Sequence, residues 1–168
     1  MKTYQLTQHF SLNEFTRSAT AIANGIDNSL DLAKADDRMV AENLQYLCQT
    51  VLEPLREHFG MPVVVSSGYR CKELNSLVGG VRNSQHLTGE AADIQPLFPA
   101  APVHASFAGG SSLPQGEALK QWLHFIQDNC RFDQLTMPIL HRASSVPSPC
   151  LHRSVDNRWT IGGPSVEA

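Results

Sequence analysis

The strongest constraint on the fold is an apolar pattern that runs through residues 35–59. Its apolar side chains recur at spacings of three or four residues, at Val40, Leu44, Leu47, Val51, Leu55 and Phe59. This spacing places them on one face of a helix, which must be buried. Pro54 lacks the backbone N–H that a helix interior needs, so it predicts a kink or a break into two helices. Gly60 is predicted to end the segment.

The residues before this helix predict a short capped helix and then a linker. Ser11 and Glu14 have the spacing of a capping box, in which each side chain can bond to the backbone N–H of the other residue. Phe10 and Phe15 flank that turn and are expected to pack on each other as a hydrophobic staple. Small and polar residues then dominate 18–31, which favours a linker.

The residues after the long helix alternate between strand and helix signals. The β-branched run at 61–67 predicts a strand, and residues 71–78 predict a short helix. A polar loop at 81–89 precedes a second predicted strand at 90–95. A helix at 117–129, a strand at 132–137 and a hairpin within 150–161 follow. This order predicts an α+β fold, with helices on one face of an antiparallel sheet and the other face open for a site.

The size of the chain favours one domain. It has 168 residues, of which 42% are hydrophobic, so residues 1–168 are long enough to form a single domain with a sizeable core. Residues 96–116 contain four prolines and three glycines, which predicts an exposed mobile insertion.

Charge and hydropathy argue against several classes of partner. The 13 Lys and Arg residues are outnumbered by 16 Asp and Glu residues, so nucleic acid is not an expected partner. No run approaches the roughly 18 apolar residues of a membrane span. The opening residues do not resemble a secretory signal, so cytoplasmic synthesis is expected. The four cysteines form no C-x-x-C pair, which argues against a tetrathiolate zinc site.

Residues 84–93 contain the strongest chemical signal. His86 lies in a predicted loop and Asp93 lies seven residues later in a predicted strand, with Gly89 allowing a turn between them. Imidazole and carboxylate are both zinc ligands, although an arbitrary pair at this spacing is more often a surface histidine and a hydrogen-bonded aspartate. The turn at 67–70 adds weight, because Arg70 presents a guanidinium suited to binding a carboxylate.

These two segments carry a resemblance to a known family. With S-G-Y-R at residues 67–70 and S-x-H-x-x-G-x-A-x-D at residues 84–93, the sequence resembles the zinc D-Ala-D-Ala carboxypeptidases, including VanX-type dipeptidases and phage endopeptidases. The resemblance extends over about residues 8–95. It implies a DD-peptidase-like fold and a zinc-dependent carboxypeptidase or endopeptidase. The implied partners are peptidoglycan peptides that contain D-amino acids, and the expected site of action is the bacterial cell wall. Release from a prophage is one route that would bring the protein there.

The resemblance also implies roles for individual residues. His86 and Asp93 become two zinc ligands, and His152 is the preferred third ligand because the residues after it match the family pattern better than those after its rival, His141. Arg70 is the implied catalytic residue, which would bind a substrate carboxylate or the developing negative charge, with a structural ion pair as the alternative. Ser84 would hydrogen-bond the substrate.

The last third of the chain departs from the family pattern. The family supplies a carboxylate as general base, yet residues 136–138 read Thr-Met-Pro and Pro149 occupies the other expected position. His141 is one candidate replacement. A second hypothesis is therefore a catalytically impaired, zinc-containing module that binds peptidoglycan or has a structural role.

Overall fold

Residues 4–97, 115–130, 134–136 and 159–162 are described by the computed structural model of the chain. They contain the helices α1 (Leu12–Thr16), α2 (Ala19–Ala23), α3 (Ala35–Leu47), α4 (Glu53–Phe59), α5 (Lys72–Leu77) and α6 (Gln115–Asn129). A π-helical turn (Cys48–Leu52) joins α3 to α4, and a 3-10 turn (Gln85–Leu87) precedes the second strand. The strands are β1 (Val63–Ser67), β2 (Ala91–Pro96), β3 (Gln134–Thr136) and β4 (Trp159–Gly162).

The four strands form one antiparallel sheet in the order β1-β2-β4-β3, which confirms the predicted α+β class. Ala92 and Ile94 of β2 lie in the same apolar core as residues of α1, α3, α4 and α6. Because side chains alternate along a strand, Asp93 lies on the opposite face of the sheet. The helices therefore cover one face of the sheet, and the Asp93 carboxylate lies on the other face.

The long helical segment breaks where Pro54 predicts it. Helix α3 ends at Leu47, and the backbone N–H of Glu53 donates to the carbonyl of Cys48, five residues earlier. The π turn ends at Leu52, so Pro54 lies in the first turn of α4, where its missing N–H is tolerated. Gly60, at a φ of 59°, ends α4 as predicted.

The capping box is confirmed, and part of the predicted linker is wrong. The Glu14 carboxylate accepts hydrogen bonds from the backbone N–H of Ser11 at 2.8 Å and from its hydroxyl at 2.7 Å. Within the predicted linker at 18–31, residues 19–23 form α2 instead. The Ser18 hydroxyl oxygen accepts from the N–H of Ala21 at 3.2 Å, and this cap with three alanines is enough for a helix of one turn.

Most of the remaining predicted elements agree with the structure where it is described. The strands predicted at 61–67, 90–95 and 132–137 contain or overlap β1, β2 and β3, and the helix predicted at 117–129 lies within α6. Residues 159–161 of the hairpin predicted in 150–161 lie in β4, which pairs with β2 on one side and with β3 on the other, so they do not form the predicted hairpin. Residues 150–158 lie outside the described part, as do residues 98–114 of the predicted insertion. The single domain and the insertion therefore stay predictions. None of the helices in the described ranges is long and apolar enough to cross a membrane.

Candidate metal centre

An irregularity in β1 places its last residue beside Asp93. Val65 pairs with Ile94 and Ser67 pairs with Asp93, so Ser66 is an extra residue on the β1 side. The Ser66 hydroxyl donates to the backbone carbonyl of Asp93 at 3.1 Å. A bulge of this kind bends a strand and redirects the residues after it. Here it brings the turn at 67–70 next to the Asp93 carboxylate.

Gly68 in that turn fixes the orientation of the His86 ring. Its carbonyl lies 2.6 Å from His86 Nδ1, and a carbonyl can only accept, so Nδ1 carries a proton. In the neutral ring this leaves the lone pair on Nε2, the form in which histidine binds a metal. Glycine is required at position 68 because a Cβ there would lie 2.7 Å from the Cα of Phe15.

The loop that carries His86 is anchored on α3. Gly89 has a φ of +77°, and a Cβ at this position would lie 2.6 Å from the carbonyl oxygen of Val40. The Asn43 side chain donates to the carbonyl of Thr88 at 2.9 Å. The turn predicted at Gly89 is thus present, and its close approach to α3 holds His86 above the sheet.

His86 and Asp93 face each other at the separation of two ligands of one ion. The distance from His86 Nε2 to Asp93 Oδ1 is 3.6 Å, too long for a good hydrogen bond. Two ligand atoms about 2.1 Å from a tetrahedral zinc ion lie about 3.4 Å apart. Both residues are buried, with exposed fractions of 5% and 7%. The donor types, the tautomer and the spacing therefore fit zinc.

Arg70 binds the other oxygen of the same carboxylate. Its Nη2 donates to Asp93 Oδ2 at 2.9 Å, and its Nε donates to the Ser67 hydroxyl at 3.0 Å. The backbone N–H of Arg70 also donates to the carbonyl of His86 at 3.0 Å. The structure thus contains the ion pair that was the alternative interpretation of Arg70, and this pair holds the guanidinium next to the His86 and Asp93 side chains.

Asn28 supports this arrangement, and the sequence alone did not identify it. Its side chain is buried and donates to the carbonyls of Thr16 and Tyr69, both at 2.9 Å. Its Oδ1 accepts from the N–H of Cys71 at 2.7 Å. Asn28 therefore binds the peptide groups on both sides of Arg70. The only signal for it was its place within residues 8–95, over which the family resemblance extends.

Of the other predicted site residues, the structure describes Ser84 but not the two candidates for the third ligand. Ser84 directly precedes the 3-10 turn that carries His86, and its carbonyl accepts from the N–H of Leu87 at 2.9 Å. His152 and His141 lie outside the described residues. Within the described ranges no group of three His, Cys, Asp or Glu side chains could hold a metal ion. The described part therefore supplies two candidate ligands, His86 and Asp93.

The remaining described histidines have structural surroundings. His58 lies in α4 and stacks on Phe125, with ring centroids 4.3 Å apart. His124 is exposed on α6. His9 pairs with Glu53.

Comparison with known families agrees with the site. The family model described as Peptidase M15 matches residues 8–105, which is more than half of the 168 residues. The match includes both sequence motifs and every described residue of the candidate site. A comparison with curated proteins finds no match. The chain belongs to the peptidase M15 family, whose members are zinc-dependent metallopeptidases.

Proposed function

We propose that this protein is a zinc-dependent peptidase that hydrolyses D-amino-acid-containing peptides of peptidoglycan, as a carboxypeptidase or an endopeptidase acting at the bacterial cell wall. The observation that carries the proposal is the 3.6 Å separation of His86 Nε2 and Asp93 Oδ1, with Nδ1 bonded to the carbonyl of Gly68. Family membership supports the metal and the class of reaction.

In this proposal His86 and Asp93 hold the zinc together with a histidine from the last third of the chain. His152 is the preferred third ligand, and His141 is its rival. Zinc bound by such ligands would polarise a carbonyl and lower the pKa of a bound water to about 7. The protein contributes ligand orientation, because the Gly68 carbonyl keeps the lone pair of His86 on Nε2.

Arg70 is proposed to be the catalytic residue that stabilises negative charge on the substrate. A guanidinium has five N–H donors, and the Nε and Nη2 bonds to Ser67 and Asp93 use two of them. The remaining donors can bind a substrate carboxylate or the oxygen on which charge develops during hydrolysis. Ser84, just before the turn that carries His86, is proposed to hydrogen-bond the substrate.

A second candidate function is a zinc-containing module that binds peptidoglycan, or has a structural role, without cleaving it. The observation that favours it is the lack of an acidic residue at 136–138 and at Pro149, where the family supplies its general base. His141 is the proposed replacement base if the chain is an active enzyme. The two candidates share the zinc site and differ only in turnover.

Mass spectrometry of a muropeptide mixture incubated with zinc-loaded protein tests the proposal. Loss of a terminal D-alanine identifies a carboxypeptidase, and cleavage at an internal bond identifies an endopeptidase. His86→Ala should stop the reaction, while His124→Ala, which removes an exposed histidine from α6, should leave it unchanged. If every peptide stays intact while the protein still sediments with sacculi, hydrolysis is excluded and the binding module is supported.

A further inference from the structure

A groove with a volume of about 280 Å³ adjoins the candidate metal centre. One wall is the segment 66–70, which includes Arg70, and the facing wall is the segment 17–20 before and within α2. Leu74 and Val78 also line it. At about 30 Å³ for each water molecule, the groove has room for roughly nine waters, or for one or two residues of a peptide.

The groove is lined by two positively charged side chains, and only one of them has an acidic partner among the described residues. Arg17 and Arg70 both line it, and none of the described residues that line it is acidic. Arg70 is already paired with Asp93 at 2.9 Å. Arg17 is exposed and forms no ion pair with any residue in the described ranges. The chain as a whole has a net charge of −3. An anionic group of a ligand in this groove would nevertheless lie near the positive charge of Arg17, which no described acidic residue neutralises.

The wall beside Arg17 also supplies hydroxyl groups. The Ser18 oxygen accepts from the N–H of Ala21, so its own proton can be donated to a ligand in the groove. Thr20 is exposed and lines the same wall. A guanidinium flanked by hydroxyl donors is a favourable partner for a carboxylate, because it can bind both oxygens at once.

From this geometry we infer that the groove is a subsite for a substrate carboxylate, with Arg17 as the residue that recognises it. The inference rests on the proposed peptidase function and narrows its substrates to peptides that carry a free carboxylate outside the bond that is cleaved. Such a carboxylate can come from an internal acidic residue or from the free end of the peptide. Arg70 remains assigned to the reacting part of the substrate.

The test uses the zinc-loaded full-length protein and three synthetic peptides. The first is L-Ala-γ-D-Glu-L-Lys-D-Ala-D-Ala, the second has the free D-Glu carboxylate converted to an amide, and the third has an amidated C-terminus. Kd for each peptide is measured by titration calorimetry, or is replaced by KM from steady-state kinetics where the peptide is cleaved, with wild type, Arg17→Gln and the matched control Arg38→Gln. Arg38 is also exposed, but it lies on α3 outside the groove.

Arg17→Gln should weaken binding of the first peptide about tenfold, which is the loss of one charge-assisted contact. One of the two amidated peptides lacks the carboxylate that Arg17 recognises, and Arg17→Gln should leave the Kd of that peptide unchanged. The peptide that is unaffected therefore shows whether the recognised carboxylate is that of D-Glu or that of the C-terminus. Arg38→Gln should bind all three peptides as wild type does. If Arg17→Gln binds all three peptides as wild type does, or weakens them equally, the subsite is refuted.

The readout also separates this inference from the proposed function. Binding is measured as Kd, so it does not require hydrolysis. A protein that binds the acidic peptide through Arg17 without cleaving it would support the subsite and contradict the peptidase. A protein that cleaves the peptides and binds them equally well after Arg17→Gln would support the peptidase and contradict the subsite.

Discussion

The described part of the molecule contains two histidine-carboxylate pairs that differ in geometry. His9 Nδ1 lies 2.7 Å from Glu53 Oε2, and the backbone N–H of His9 donates to the other oxygen of Glu53 at 2.9 Å. In the second pair, His86 Nε2 lies 3.6 Å from Asp93 Oδ1, and His86 Nδ1 is bonded to the carbonyl of Gly68. The first pair is a direct hydrogen bond, and the second has the width of two ligands around an ion.

This difference shows that surroundings, and not residue types, decide what such a pair can do. His9 uses its Nδ1 and its backbone N–H on one carboxylate, which fastens the N-terminal segment to α4. His86 and Asp93 are each held by a third group, the Gly68 carbonyl and the Arg70 guanidinium. These outer bonds orient the two side chains without joining them to each other, as the bonds around metal ligands do.

The largest contrast is expected when each carboxylate is changed to an amide. Asp93→Asn should lower zinc affinity at least about a hundredfold, because an amide oxygen carries no charge for zinc. Glu53→Gln should leave zinc affinity unchanged. Competition with a chromophoric chelator measures both values, and circular dichroism checks that each variant is folded. Equal zinc affinity in the two variants would show that Asp93 is not a zinc ligand.

The next contrast concerns Arg70. Arg70→Lys keeps the charge but cannot reproduce the two bonds to Ser67 and Asp93, because lysine has no planar fork. We expect kcat to fall about 10² to 10³-fold, the usual loss for a group that stabilises developing charge, while zinc content stays near one per chain. Steady-state kinetics and metal analysis give the two values. Loss of zinc with unchanged kcat per bound zinc would make Arg70 purely structural.

A smaller effect is expected at Asn28. Asn28→Ala leaves the carbonyl of Tyr69 and the N–H of Cys71 without their partner, at a cost of about 1–3 kcal/mol for each buried group that stays unpaired. The turn with Arg70 should loosen, so kcat/KM should fall about tenfold even at temperatures where the variant is fully folded. Chemical denaturation and kinetics measure the two effects. Reduced stability with wild-type kcat/KM would limit Asn28 to a folding role.

The smallest effect is the pH dependence of the His9 and Glu53 pair. Burial alone would raise the pKa of Glu53, but the hydrogen bonds that its carboxylate accepts, including two from His9, hold the pKa below its ordinary value. A lowered pKa stabilises the folded state above the unfolded pKa of about 4.3, and this gain is lost as pH falls through the folded value.

Wild type should therefore exceed Glu53→Gln in stability at pH 7, by on the order of 1 kcal/mol. The difference should shrink as the pH falls below about 4. Urea denaturation at several pH values measures this difference. A gap that is constant between pH 7 and pH 3 would contradict the assignment.

Much of the fold could be predicted because its signals are local. The apolar spacing in 35–59, the β-branched run of β1 and the capping box of Ser11 and Glu14 act within a few residues of one another. Pro54 predicted an interruption of the helix because its missing backbone N–H is also a local property. The π-helical form of that break was not predictable, because it depends on how the flanking turns bury Cys48, Val51 and Leu52.

The sequence was enough to predict which residues form the candidate site, but not how they are arranged in space. The bulge at Ser66 and the pairing of Ser67 with Asp93 depend on strand register, which sequence spacing does not reveal. Asn28 acts on peptide groups 41 and 43 residues away, so no local pattern contains its role. His152 and His141 lie outside the described residues, and the choice between them stays a prediction.

The central claim is that His86 and Asp93 hold one zinc ion between them. Crystals of zinc-loaded protein measured at the zinc absorption edge would locate the metal by anomalous scattering. We expect one strong peak about 2.0–2.2 Å from both His86 Nε2 and Asp93 Oδ1, with a histidine from the last third of the chain also in contact. A peak elsewhere, or His86 and Asp93 joined by a direct hydrogen bond with no metal between them, would contradict it.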